Sequence, residues 1–184
     1  MTYMRKSFSL LIMIFIVSNF AAANVTVSIG DVQVDGYTND IVVPITLSNP
    51  ENWVGGLQFD IIAMPTIVTL AGATPVDQSS FSADYTVFND GSGRVVFYNS
   101  VGGAIAPGGS DVVLNLHYDG SEILSAIVQL EAYDLSVSDG GGDLINSVLI
   151  NGSITIGDET YLSATSDTGD VSEQVSIDIN LQNS

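Results

Sequence analysis

The chain contains no cysteine. That excludes disulfide staples, thiolate nucleophiles and cysteine-ligated metal centres, and leaves burial or bound ions to hold the fold. Positive charge is nearly as scarce: against 21 Asp and Glu there are three Lys and Arg, namely Arg5, Lys6 and Arg94. There is one tryptophan, Trp53, and one histidine, His117. No segment alternates with the 3.6-residue period of an amphipathic helix. Missing as well are a G-x-S-x-G elbow, an H-E-x-x-H site and the D-x-[DN]-x-[DN]-G pattern of an EF-hand loop.

Two of the three cations stand at the very start. Arg5 and Lys6 precede the uncharged run LLIMIFIV (residues 10–17), and Ala21-Ala22-Ala23 supplies small residues for cleavage. That order is expected of a secretory signal peptide over residues 1–23. The run is short for a membrane span, which needs about 20 apolar residues, so no membrane insertion of the mature chain is expected. Loss of Arg5 and Lys6 takes the formal charge from −18 to −20, with Arg94 the only remaining cation. Such a surface repels phosphate backbones and anionic lipid, so nucleic acid is excluded as a partner class. It is compatible with high salt, with hard cations, or simply with solubility. A cysteine-free exported chain fits a bacterial secreted or cell-surface protein.

What remains is period-two alternation. Val25, Val27 and Ile29 share a face, and after Gly30-Asp31 the parity switches to Val32 and Val34, which predicts a bulge or bend. Ile41, Val43, Ile45 and Leu47 form the next apolar face. In the strand predicted over 53–62, Leu57, Phe59 and Ile61 face inward, while Gly56, Gln58 and Asp60 face out. Residues 66–71 and 85–88 are shorter candidates, followed by 94–99 (RVVFYN). Val112, Leu114, Leu116 and Tyr118 alternate, Val128, Leu130 and Ala132 open another strand, and Val148, Ile150, Ile154 and Ile156 close the set. Residues 121–127 are a candidate helical turn. Gly/Asp/Asn/Ser/Pro clusters separate these runs. Many short strands with turn signals and no helices predict an all-β sandwich or barrel.

VSIDINLQN (175–183) repeats the parity of IVVPITLSN (41–49), with identities at Ile45/Ile179, Leu47/Leu181 and Asn49/Asn183. The reading is a first module over 24–157 and the start of a second, truncated β module over 158–184. A lone pair of strands is not stable in isolation, so a longer protein with tandem modules is expected.

Chemistry-bearing residues are few. By parity His117 points outward with Asn115 and Asp119 and reads as a solvated surface residue, since no nucleophile is paired with it. With 21 acids some carboxylates fall close by accident, and no pair is marked for glycoside hydrolysis. No enzyme is expected. Asp139 and Asp143 flank a glycine loop whose carbonyls could complete a Ca2+ shell, and Asp35, Asn39 and Asp40 form a second acid-rich turn. The alternative for both is ordinary turn chemistry. Among the aromatics, Trp53 and Phe97 read as core. Tyr98 has the opposite parity to Phe97 and is the surface candidate, with Phe88 on a neighbouring strand.

WVGGLQFDIIAMP (53–65) followed by TIVTLAGA (66–73), RVVFYNS (94–100), GAIAPGGS (103–110), VVLNL (112–116) and LINGSITI (149–156) together resemble cohesin modules in motif order, over about residues 25–157. The resemblance implies a jelly-roll β-sandwich of about nine strands, immunoglobulin-like in general architecture, non-catalytic and extracellular. It implies docking of a dockerin-like protein module in an assembly linked to polysaccharide breakdown. Aligning Phe59 and Pro65 with the family's Phe and Pro puts Gly56 and Gln58 where dockerin-binding members present Asn and Asp. The docking surface so implied comprises Gly56, Gln58 and Asp60, with Tyr98 and Asn99 nearby. The alternatives are a carbohydrate-binding module, which needs exposed aromatics aligned with a polysaccharide, and a structural or adhesion repeat of a larger surface protein.

Overall fold

The computed structural model describes residues 25–77, 80–157, 160–164 and 179–183. The signal-peptide reading over 1–23 lies outside them. Twelve strands form the body: β1 (Val25–Ile29), β2 (Asp31–Val34), β3 (Ile41–Asn49), β4 (Gly56–Met64), β5 (Thr69–Pro75), β6 (Phe81–Val87), β7 (Gly93–Asn99), β8 (Gly109–Asp119), β9 (Ala126–Ser138), β10 (Leu144–Ile145), β11 (Ser147–Ile150) and β12 (Gly152–Ile156). One sheet runs β11-β1-β3-β8-β5. The other runs β2-β12-β9-β4-β7-β6, with the short β10 attached to β9. Their inner faces close on one core, built around Phe59, Phe97, Ile45, Leu114, Leu116, Leu130 and Ile154, all fully buried. Phe81 and Phe97 stack within it, ring centroids 4.7 Å apart. This is an all-β jelly-roll sandwich.

The expected parity break at Gly30 is larger than a bulge. β1 belongs to the five-stranded sheet and β2 to the seven-stranded one, so the chain changes sheets there. The same crossing occurs at Asn151, between β11 and β12, and both crossings are parallel pairings, β1 with β11 and β2 with β12. They lie against each other: a Cβ on Gly152 would come within 2.5 Å of the Gly30 carbonyl oxygen. Only glycine allows so close a backbone approach. Counting each crossing segment as one strand and leaving out β10 turns the twelve strands into the nine expected.

Three sequence expectations are corrected. Val112 is exposed and Val113 is buried, because a register shift opposite Ile45/Thr46 places both on one bulge; from Leu114 the predicted alternation resumes. The strand expected from 53 begins at Gly56, the one expected at 66 begins at Thr69 and the one expected at 85 begins at Phe81. Residues 121–127 are not helical: the Ile123 amide donates to the Gly120 carbonyl in a turn, and β9 starts at Ala126. Beyond the sandwich, β13 (Thr160–Ala164) and β14 (Ile179–Asn183) pair antiparallel as a separate two-stranded sheet. The first half of the expected repeat, residues 175–178, lies outside the described residues.

Candidate protein-docking face

β4 is central in the seven-stranded sheet, paired with β7 on one side and β9 on the other. Its outward positions are Gly56, Gln58 and Asp60. Across β7 they meet Tyr98, Val96 and Arg94, and one strand further, on β6, Ser82, Asp84 and Thr86. Across β9 Gln58 meets Ser136 and Asp60 meets Tyr133.

These positions differ in character. Gly56 lies flat: a Cβ there would come within 2.9 Å of the Phe97 carbonyl oxygen. Gln58 is half-buried between Val96 and Ser136. Asp60 does not present its carboxylate to solvent as the alternation implied; it is 6% exposed. Its oxygens accept from Nε and Nη2 of Arg94 at 2.7 and 2.8 Å. This fork-on-carboxylate geometry is the strongest form of ion pair. Arg94 is held protonated by that hydrogen bond and by the Asp60 charge, with Asp134 and Tyr133 adding to it. Its guanidinium carbon also sits 5.8 Å from the centroid of the Phe88 ring, within cation–π range. The only Lys or Arg beyond residue 6 is thus consumed inside the sheet face.

Tyr98 points outward as expected and is 37% exposed. Its hydroxyl donates to Oδ2 of Asp84 at 3.0 Å. That hydrogen bond, and then the Asp84 charge, push the phenol pKa up. Asn99 does not share the face: its Nδ2 donates to Ser80 Oγ and its Oδ1 accepts from the Val101 amide, so it holds the loop after β7.

Tyr133 and Asp134 were missed by pattern reading. The register between β4 and β9 shifts between Gln58 and Asp60, and Asp134 carries a φ of 52°, the bulge geometry that re-aims side chains. The signal was present: the apolar positions Leu130 and Ala132 change parity to Leu135 and Val137. With Phe88 and Tyr98, exposed Tyr133 gives the face three aromatic side chains around the Asp60–Arg94 pair. Asp84 and Asp134 leave it acidic, a surface suited to a partner carrying Lys or Arg.

The remaining sequence candidates sit elsewhere. Trp53, expected in the core, is 57% exposed, because Val54 rather than Trp53 turns inward just before β4. Phe97 is core as expected. His117 does face outward, but it is not freely solvated: Nδ1 lies 2.8 Å from Asp40 Oδ1 and Nε2 lies 2.8 Å from Thr74 Oγ1. Gly72, whose added Cβ would come within 3.3 Å of the His117 side chain, makes room for the ring. In the Asp35–Asp40 turn the Thr38 hydroxyl donates to the Asp35 carbonyl. Asp139 Oδ1 accepts from the amides of Gly141 and Asp143, which is the turn chemistry set against Ca2+. Among the described residues no three His, Asp or Glu are placed to hold a metal ion.

No family model matches the chain, and no curated protein does. Solved structures do. A non-cellulosomal cohesin from Archaeoglobus fulgidus is 19% identical, with a TM-score of 0.57 over 73% of this chain and 91% of that one. The seventh ScaB type I cohesin of Pseudobacteroides cellulosolvens is likewise 19% identical, TM-score 0.57, over 73% and 92%. A type I cohesin–dockerin complex from Clostridium thermocellum matches at 19% identity and TM-score 0.59, over 72% and 99%.

Proposed function

We propose that this chain, whose sandwich has the cohesin fold, is a non-catalytic docking module that binds a dockerin-like protein through the outer face of β6, β7, β4 and β9. The observation that carries this is a preformed sheet face, pinned by the Asp60–Arg94 pair and framed by Phe88, Tyr98 and Tyr133. Structures of similar fold include cohesin–dockerin complexes. Interfaces of this kind draw most of their affinity from a few aromatic or arginine anchors within a larger contact. Gly56 and Gln58 at the strand start leave room for a side chain from the partner, and the acidic surround favours a basic one.

The signal-like leader supports export, to the medium or the bacterial cell surface. A setting in polysaccharide breakdown follows from the same family resemblance. Pairing of β13 with β14 as a separate sheet is compatible with a second module from residue 158.

The test is calorimetric titration of the mature chain with dockerin modules from the same genome, with and without Ca2+, and then with a polysaccharide panel. Saturable 1:1 binding of a dockerin, weakened by Gln58→Arg without loss of thermal stability, is the expected result. Binding to a polysaccharide alone replaces docking with glycan recognition, and unchanged binding in Gln58→Arg removes this face from the reading.

A further inference from the structure

At the end of the sandwich where β4 begins and β9 ends there is a cleft of about 460 Å3, lined by Trp53, Leu144 and Ile145 with Glu51, Asp139 and Asp143 around them. Its volume falls in the usual range of ligand pockets, about 300–1,000 Å3. Trp53 and Leu144 are 57% and 79% exposed, so two large apolar side chains stand uncovered in one concave place.

Both walls are fixed. On the Trp53 side, buried Asn49 donates through Nδ2 to the carbonyls of Asn52 and Ala106 at 3.0 and 2.8 Å. The next residue, Val54, is fully buried and exchanges two backbone hydrogen bonds with Ile105. Trp53 is therefore held between two anchored neighbours while its own ring stays outside. On the other side the loop 139–143 is closed by the Asp139 amide on the Asp143 carbonyl and by Asp139 Oδ1 on two loop amides. Leu144 and Ile145 then pair with the end of β9. A recess with this much internal bonding is shaped before any ligand arrives, which lowers the ordering cost of binding.

The charge decides what fits. Three acidic residues line the cleft, and among the described residues no ion pair joins any of them to a cation. Arg94, the only Lys or Arg beyond residue 6, is committed to Asp60. Among the described residues no three His, Asp or Glu are grouped to hold a metal ion. An occupant that uses the whole recess combines a positive charge with an apolar stem for Trp53 and Leu144. A lysine or arginine side chain has both parts: a methylene stem that lies on apolar surface and a charged head for the carboxylates, with the indole adding cation–π attraction.

We infer that the Trp53 cleft receives a lysine or arginine side chain from a partner protein. It lies beside the sheet face proposed for docking but does not depend on it, because its ligand is defined by this cleft alone.

Trp53 is the only tryptophan, so its indole fluorescence and its indole NMR resonance report on the cleft directly. The full chain is titrated with N-acetyl-arginine methylamide and, in parallel, with the citrulline analogue, which keeps the shape and lacks the charge. Cello-oligosaccharide is the third probe. The expected result is saturable change with the arginine probe and none with citrulline, and about a tenfold weaker dissociation constant in the Glu51→Gln/Asp143→Asn variant. Circular dichroism confirms that the variant is folded, and a third variant, Leu144→Ser, which leaves the loop hydrogen bonds intact, also weakens the arginine probe. Equal response to citrulline, saturation by the oligosaccharide alone, or undiminished arginine binding in the folded variants would each overturn the assignment. Loss of dockerin binding with the arginine response preserved would leave this cleft standing and remove only the docking face.

Discussion

Asp60 and Arg94 face each other directly across the β4–β7 ladder and are joined by two hydrogen bonds of 2.7 and 2.8 Å. The partners are unequally buried: the Asp60 side chain is nearly covered and Arg94 is much more open. Their removal is therefore not symmetric. Arg94→Leu leaves a covered carboxylate without its donor and is expected to lower the unfolding midpoint, by less than the loss of a fully buried pair would because Arg94 is well solvated. Asp60→Asn leaves the guanidinium in contact with water and costs less. Urea unfolding of both variants measures the order; equal losses would mean that burial of the carboxylate is not what sets the cost.

The phenol of Tyr98 is held protonated by Asp84. A raised folded pKa means that this contribution to stability is fully present below the ordinary phenol pKa of about 10 and is lost as pH rises through the raised value. Asp84→Asn should bring the Tyr98 titration, followed by NMR of the phenol ring, back toward the ordinary value. For the docking proposed above, Tyr98→Ala is expected to weaken the partner about tenfold, measured by calorimetry.

Tyr118 is buried in the core on β8, and among the described residues its hydroxyl is the one buried side-chain polar atom without a hydrogen-bond partner. Burial pushes its phenol pKa far up. Removing an unsatisfied buried group is neutral or favourable, so Tyr118→Phe should hold or raise stability by up to about 1 kcal/mol. A clear loss in thermal denaturation would reveal a partner for the hydroxyl.

A Cβ on Gly152 would come within 2.5 and 2.6 Å of the Gly30 and Ile29 carbonyl oxygens at the double crossing between sheets. Gly152→Ala forces backbone to move in both crossings and is expected to cost about 1–3 kcal/mol. An alanine at Gly102, where a Cβ meets nothing within 4 Å but φ is +80°, probes strain alone and should cost about 1 kcal/mol. Denaturant midpoints of the two variants separate steric from conformational effects.

Period-two alternation determined the fold class, nearly every strand and most of the core, because half-burial of a strand is written in its own residues. The parity break at Gly30 was legible for the same reason, although its meaning, a change of sheet, depended on which strands became neighbours. Only the tertiary structure decided the fate of Asp60. Alternation places it on the outer face, but the cover comes from Arg94, 34 residues away in the chain, and no local pattern encodes that pairing. Trp53 went the other way: its neighbour Val54 took the inward place, because the bridge to Ile105 fixed the backbone there. The cleft beside it is assembled from segments about 90 residues apart, joined only where β9 ends against the start of β4. The sequence on its own established an acidic, cysteine-free β-sandwich. Which charges are satisfied and which stand open to a partner was settled by strand register, which sets side chains distant in sequence side by side.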